Sequence, residues 1–165
     1  MTTARTTLAR FTRPALRGAL ALAAGAGILL TPAVAQAAPA SAATAVAAST
    51  AASQIAVNTA MAQLGDPYVW AGAGPDAFDC SGLTQFAWRA AGVQLPHSAA
   101  AQAGMGIPVD RANLAPGDLV FFYGTGHVGI YIGNNQVVHA PTSGDVVKVT
   151  NVDAFYGYSS ARRIG

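Results

Sequence analysis

The chain has 165 residues, 52% of them apolar, 10% charged and one a cysteine. Four of its nine basic residues (Arg5, Arg10, Arg13 and Arg17) lie in the first 17 positions; elsewhere five Lys and Arg face seven Asp and no Glu, a net charge of −2. The high overall pI thus belongs largely to the N-terminus, which argues against a nucleic-acid face despite the Arg162–Arg163 pair, and a single cysteine excludes an internal disulfide.

Arg-rich residues 1–17 precede an uncharged apolar run from Gly18 to Leu30, and Ala35-Gln36-Ala37 fits the small-x-small cleavage rule. Residues 1–37 therefore read as a secretory signal peptide cleaved after Ala37. The apolar run is short for a membrane span. The expected product is secreted, extracellular or wall-associated, with no stable membrane attachment after cleavage. Residues 38–52, nearly all Ala, Ser, Thr and Pro, read as a low-complexity linker. A single domain is expected over residues 53–165, enough for one core and too few for two.

Within that domain Val57, Ala60, Met61 and Leu64 share one helical face, with Ser53 and Gly65 at the ends. Gly65 to Pro75, dense in Gly and Pro around Tyr68-Val69-Trp70, predicts an irregular loop whose aromatic side chains can line a pocket. From Cys80 the apolar positions Leu83, Phe86, Ala87 and Ala90 recur at helical spacing, and Gly92 marks the stop. Cys80 thus stands at the first turn of a helix, where unpaired N–H groups and the helix dipole favour the thiolate. An exposed lone thiol is a liability in an oxidising compartment, which favours a nucleophile over a packing residue. The carboxylate of Asp79 would instead raise the thiol pKa, so capping the helix or binding an ammonium suits Asp79 better than activating Cys80.

Leu95 to Gln102 predicts a turn into a short helix capped by Ser98, with His97 at its rim. From residue 107 the pattern turns to β: residues 107–109, 118–123, 127–132, 136–140, 146–149 and 158–164 are short runs of Val, Ile, Phe and Tyr separated by turns. Helices followed by a meander predict an α+β domain with an antiparallel sheet. In His127-Val128-Gly129-Ile130-Tyr131-Ile132 the alternation puts the aliphatic residues on one face and His127, Gly129 and Tyr131 on the other. His127 is the candidate base for Cys80, and His139 the polar group that orients it. A regular ladder closed by a tight turn at Asn134-Asn135 pairs Ile132 with Val137 and leaves His139 opposite Ile130, roughly 10 Å along the strand from His127. Contact between the two rings requires a bulge, a longer turn or strong twist.

Pro67-Tyr68-Val69-Trp70, Phe78-Asp79-Cys80-Ser81-Gly82-Leu83, Pro116-Gly117-Asp118-Leu119-Val120-Phe121-Phe122, His127-Val128-Gly129-Ile130-Tyr131-Ile132-Gly133 and Val138-His139-Ala140, in that order, closely resemble the NlpC family of bacterial cell-wall cysteine peptidases. The resemblance implies a papain-like α+β fold, with the nucleophile's helix packed on an antiparallel sheet. It also implies Cys80 as nucleophile, His127 as base and His139 as the orienting third member. Carried over residue by residue, Tyr68 lies beside the nucleophile, Asp79 and Ser81 bind the free amino end of the substrate, and Ser98 lines its pocket; Trp70 joins this substrate-binding set as the loop aromatic. Ala71 departs from the family, where glycine is common after the tryptophan.

The resulting expectation is a secreted, monomeric endopeptidase that hydrolyses the D-glutamyl–diamino acid bond of peptidoglycan stem peptides, with no metal and no cofactor. A non-catalytic wall-binding module and an N-acetylmuramoyl-L-alanine amidase on the same fold are the alternatives. A zinc site from Cys80, His127 and His139 has suitable ligand types but no close-spaced ligand pair.

Overall fold

The computed structural model describes residues 40–165, with side chains from Thr50 onward. The expected signal peptide and its cleavage point lie outside the described residues. Three helices, α1 (Ala40–Met61), α2 (Cys80–Ala90) and the single turn α3 (Ala99–Gln102), precede six strands: β1 (Ile107–Pro108), β2 (Leu119–Phe122), β3 (His127–Gly133), β4 (Gln136–His139), β5 (Lys148–Asn151) and β6 (Tyr158–Arg163). All strand pairs are antiparallel, in the order β1-β6-β2-β3-β4-β5. The α+β class and the helices-then-sheet order are those expected. No described helix is long and apolar enough to cross a membrane.

Helix α1 runs back to Ala40, through most of the segment read as a linker. Alanine, which dominates that stretch, is the strongest helix former and needs no packing partner to favour the helical backbone. Its buried face is Ala56, Val57 and Ala60, whereas Leu64 falls beyond the helix end and is exposed. In α2 the buried side is broader than the predicted apolar stripe: Ser81, Thr84 and Trp88 are buried along with Leu83 and Ala87, and Ala90 is exposed.

The sheet is covered on both faces. Leu119, Phe121, Val128, Ile130 and Val138 pack with α1 and α2 in the main core. Val120, Phe122, Val137 and Ala161 point the other way, into a smaller cluster with Val152 that Tyr131, Phe155 and Tyr158 complete. β5 lies two residues later than its apolar run, because Pro67 bridges Val146, Tyr68 N–H donates to Asp145 O and Val147 N–H donates to Asp66 O. Residues 145–147 are thus spent on anchoring the Gly65–Pro75 loop.

That loop then crosses the start of α2 at very short range. Gly72 O accepts from Asp79 N–H at 2.8 Å. A Cβ on Gly82 would stand 1.9 Å from the same carbonyl oxygen. Gly82 is therefore fixed by backbone-to-backbone packing, which a helix-propensity gain of about 1 kcal/mol cannot outweigh. Gly82→Ala should lower unfolding free energy by roughly 1–3 kcal/mol. Gly104→Ala, whose Cβ would meet nothing closer than 3.4 Å, should be neutral or slightly stabilising. Urea denaturation of the two variants checks the contrast.

Candidate active site

Helix α2 starts with a cap made by Asp79, whose Oδ1 accepts from Gly82 N–H at 2.7 Å and from Ser81 Oγ at 3.2 Å. The same carboxylate lies 2.9 Å from His97 Nε2 through each of its oxygens. His97, which the sequence placed only at the rim of the turn, is therefore joined to the helix cap. Gln102, fully buried, ties α3 to the same turn: its Nε2 donates to Ser81 O and Pro96 O, and its Oε1 accepts from Thr84 Oγ1 at 2.7 Å. Nothing in the sequence pattern singled out Gln102; a buried amide at the end of an Ala-rich turn becomes visible only when its three partners are in place.

The Cys80 thiol receives the backbone N–H groups of Val128, Ser81 and Cys80 itself, each of which favours the thiolate. Burial and the neighbouring Asp79 charge act in the other direction and win, so the thiol pKa lies above its ordinary value. The helix terminus accounts for the Ser81 and Cys80 N–H groups but not for Val128 N–H, which comes from β3, nor for the balance. Val128 follows His127 in β3, so this contact docks the start of α2 at the start of that strand.

His127 Nε2 and His139 Nδ1 are 2.8 Å apart, with the rings edge-to-face at 5.0 Å. The contact follows from a one-residue bulge. Ile130 pairs with Val138 and Tyr131 with Val137, but then Gly133, not Ile132, pairs with Gln136. Gly133 (φ 97°), Asn134 (φ 51°) and Asn135 (φ 58°) are all left-handed, as a tight hairpin with a bulge requires. The slip changes the face of β4 relative to the regular ladder, bringing His139 to the side of His127. Gly129 makes the room: a Cβ there would stand 3.3 Å from the Cβ atoms of both His139 and Val137.

Beyond the pair, His139 Nε2 lies 2.8 Å from Thr150 Oγ1 on β5. Phe155 stacks along His127 at 6.0 Å and meets His139 edge-on at 5.0 Å, while Phe122 flanks His127. Burial among these rings lowers the His127 pKa to about 4. It also lowers that of His139 to about 3, with further depression from His127 and Lys148 that Asp145 opposes. Both rings are therefore neutral in the free site near pH 7.

A cleft of about 390 Å³ opens at Cys80, lined by Tyr68, Trp70, Asp79, Ser81, His97 and Ser98 among others. Every residue expected to bind substrate is on its wall. Trp70 is 81% exposed and can meet a ligand only at the rim. Ser98 caps α3 through Ala101 N–H at 3.4 Å. Burial raises the Tyr68 pKa, with smaller effects from Cys80 and Asp79, so its hydroxyl keeps its proton and can donate. Ala71, also on this wall, has φ +59°, where glycine is at no disadvantage and alanine costs roughly 1–2 kcal/mol. A second hollow of about 280 Å³, holding His127, His139, Tyr123, Pro141 and Phe155, shares Gly126 with the first. Among the described residues no group of three or more His, Cys, Asp or Glu side chains is arranged to hold a metal ion.

The family model described as "NlpC/P60 family" matches residues 65–163. A protein named "Probable endopeptidase" from Corynebacterium glutamicum is 41% identical over 150 residues, covering 90% of this chain and 67% of that one. Another of that name from Mycobacterium tuberculosis is 47% identical over 105 residues, 63% of this chain and 27% of its own. The chain thus spans about a quarter of the length of the mycobacterial relatives it matches. Among solved structures, the P60 domain of an antigen from M. avium paratuberculosis superposes with a TM-score of 0.66 at 30% identity, covering 74% of this chain and 99% of that domain. The NlpC/p60 domain of the peptidoglycan hydrolase SagA superposes with 0.63 at 32% identity, covering 68% and 98%. With the sequence motifs, the six-stranded sheet and the matched stretch in agreement, the chain belongs to the NlpC/P60 family.

Proposed function

We propose that this chain is a secreted cysteine peptidase that cuts the D-glutamyl–diamino acid bond of peptidoglycan stem peptides through an acyl-enzyme. The observation that carries the reading is the juxtaposition of the Cys80 thiol with the start of β3, where His127 is hydrogen-bonded to His139. Family membership and a structural relative named as a peptidoglycan hydrolase support the substrate class. The Arg-rich N-terminus with its small-x-small site supports export.

His127 spends Nε2 on His139 and has Nδ1 left for the thiol. Thiol and imidazole are both neutral at rest, so His127 acts as a general base during attack and not as half of a preformed ion pair. Sγ bonds to the D-glutamyl carbonyl carbon while the thiol proton passes to Nδ1. The carbonyl electron pair moves to oxygen, where N–H groups at the start of α2 and the Tyr68 hydroxyl can receive the charge. Collapse breaks the C–N bond, and His127 returns its proton to the leaving amine, giving a thioester. Water then attacks the thioester as His127 takes its proton, and release of the carboxyl product restores the thiol. Asp79 and Ser81 hold the amino end of the stem peptide in the cleft and fix which carbonyl faces Sγ.

Incubated with purified peptidoglycan and defined stem peptides, the mature protein should generate new D-glutamate C-termini detectable by mass spectrometry. Cys80→Ala should reduce the rate by on the order of 10³-fold or more, and His127→Ala similarly. Cleavage that yields free muramic acid carboxyls would point to the amidase alternative. Sedimentation with the wall, without cleavage by the intact protein, would point to a binding module.

The depressed histidine pKa values also set a stability profile. The unfolded chain binds protons at these rings near pH 6.5, the folded chain only near pH 4 and 3. Between those limits the unfolded state carries more protons, so stability falls as pH falls from about 6.5 towards 4. Melting temperatures should drop over that interval, and His127→Gln with His139→Gln should flatten the drop. An unchanged slope in the double variant would remove the two rings as its cause.

A further inference from the structure

We infer that Thr150 is a positioning residue, the hydrogen-bond acceptor that sets the tautomers of both histidines so that His127 presents a bare nitrogen to Cys80. The inference rests on the proposed role of His127 as base.

The geometry is a line drawn obliquely across three strands. His139 on β4 reaches His127 on β3 through Nδ1 and Thr150 on β5 through Nε2, each at 2.8 Å. In the β4–β5 ladder His139 pairs with Lys148, and Val137 with Thr150, so Thr150 is the diagonal neighbour on the face that carries His139. Lys148, directly opposite, is an ammonium engaged with Asp145 and has no lone pair to offer. The threonine hydroxyl is thus the acceptor that the sheet brings to His139 Nε2.

A neutral imidazole has one N–H and one lone pair, so the chain of contacts admits two arrangements. In the first, His127 Nε2–H donates to His139 Nδ1 and His139 Nε2–H donates to Thr150 Oγ1. His127 Nδ1 is then unprotonated and can take the thiol proton. In the second, Thr150 donates to His139 Nε2, His139 Nδ1–H donates to His127 Nε2, and His127 Nδ1 carries its proton and cannot act as a base. The two differ by a concerted reversal along the line. Removing the hydroxyl leaves the His139 N–H of the first arrangement buried without an acceptor, whereas the second leaves only a lone pair unmet. Loss of Thr150 Oγ1 therefore drives the pair towards the inactive tautomer without touching either ring or the cleft.

The test compares Thr150→Val, close in shape but without the hydroxyl, with Thr150→Ser, which keeps it. The valine variant should melt within a few degrees of the parent and lose kcat by roughly 10–100-fold, by analogy with metal-bound histidines that lose the outer partner orienting their ring. KM for a stem peptide should stay within about twofold, and the serine variant should recover most of kcat, since it restores the acceptor. Independently of any substrate, long-range ¹H–¹⁵N correlation on histidine-labelled protein near pH 7 should show both rings as the Nε2–H form in the parent and as the Nδ1–H form in Thr150→Val. A parent ring at His139 protonated on Nδ1, or tautomers unchanged in the valine variant, would overturn the inference. So would a serine variant as slow as the valine one, because packing of the methyl group would then be the cause. If the parent cleaves no stem peptide yet the tautomers follow the prediction, the peptidase reading fails and the role of Thr150 in setting the tautomers stands.

Discussion

The extra residue that β3 carries at Ile132–Gly133 is the constraint on which the histidine pair depends. A strand alternates sides with every residue, so one residue of slip exchanges the two faces of its partner. Without the bulge, His139 would enter the aliphatic side among Val128 and Ile130, away from His127 and Thr150. With it, His139 lies beside His127 and within reach of Thr150, while Val138 takes the core position. Left-handed backbone at Gly133, Asn134 and Asn135 sustains the slip, and these are residue types that tolerate that conformation.

The Cys80 thiol is held by different means. Its helix begins where a glycine-rich loop crosses, close enough that Gly82 cannot carry a side chain. Asp79 both caps the helix and engages His97, while Gln102 fastens the following turn to Ser81. The residues that line the cleft thus also fix the start of α2. One physical consequence is that burial raises the pKa of the thiol, and Asp79, which helps to hold it, adds to the effect. Burial thus leaves the Cys80 thiol protonated and the His127 and His139 rings neutral near pH 7.

Much of this was legible in the residues. Alternation in residues 127–132 gave the face of His127, the Gly133-Asn134-Asn135 cluster gave the hairpin, and helical spacing after Cys80 put the thiol at a helix start. Contact between His127 and His139 was legible only through the family resemblance, because a regular ladder is the default reading of the spacing and a bulge of one residue leaves no mark on hydrophobic periodicity. The polar residues of α2 and α3 were hidden for a related reason. Ser81, Thr84 and Gln102 look like surface positions until their mutual hydrogen bonds are formed. β5 was displaced by two residues because Val146 and Val147, apolar enough to start a strand, serve the Gly65–Pro75 loop instead. Ala71 was noticed only as a departure from a family glycine; its positive φ supplies the reason glycine suits that position.

The register of the β3–β4 hairpin is the claim on which the arrangement rests, and cross-strand nuclear Overhauser effects read it directly. Contacts should join Tyr131 with Val137 and, continuing the ladder, Gly129 with His139, with Gly133 facing Gln136 across the turn. A pattern joining Ile132 with Val137 and Ile130 with His139 would mean a regular hairpin, put His139 on the opposite face, and contradict the account of how the histidine pair is assembled.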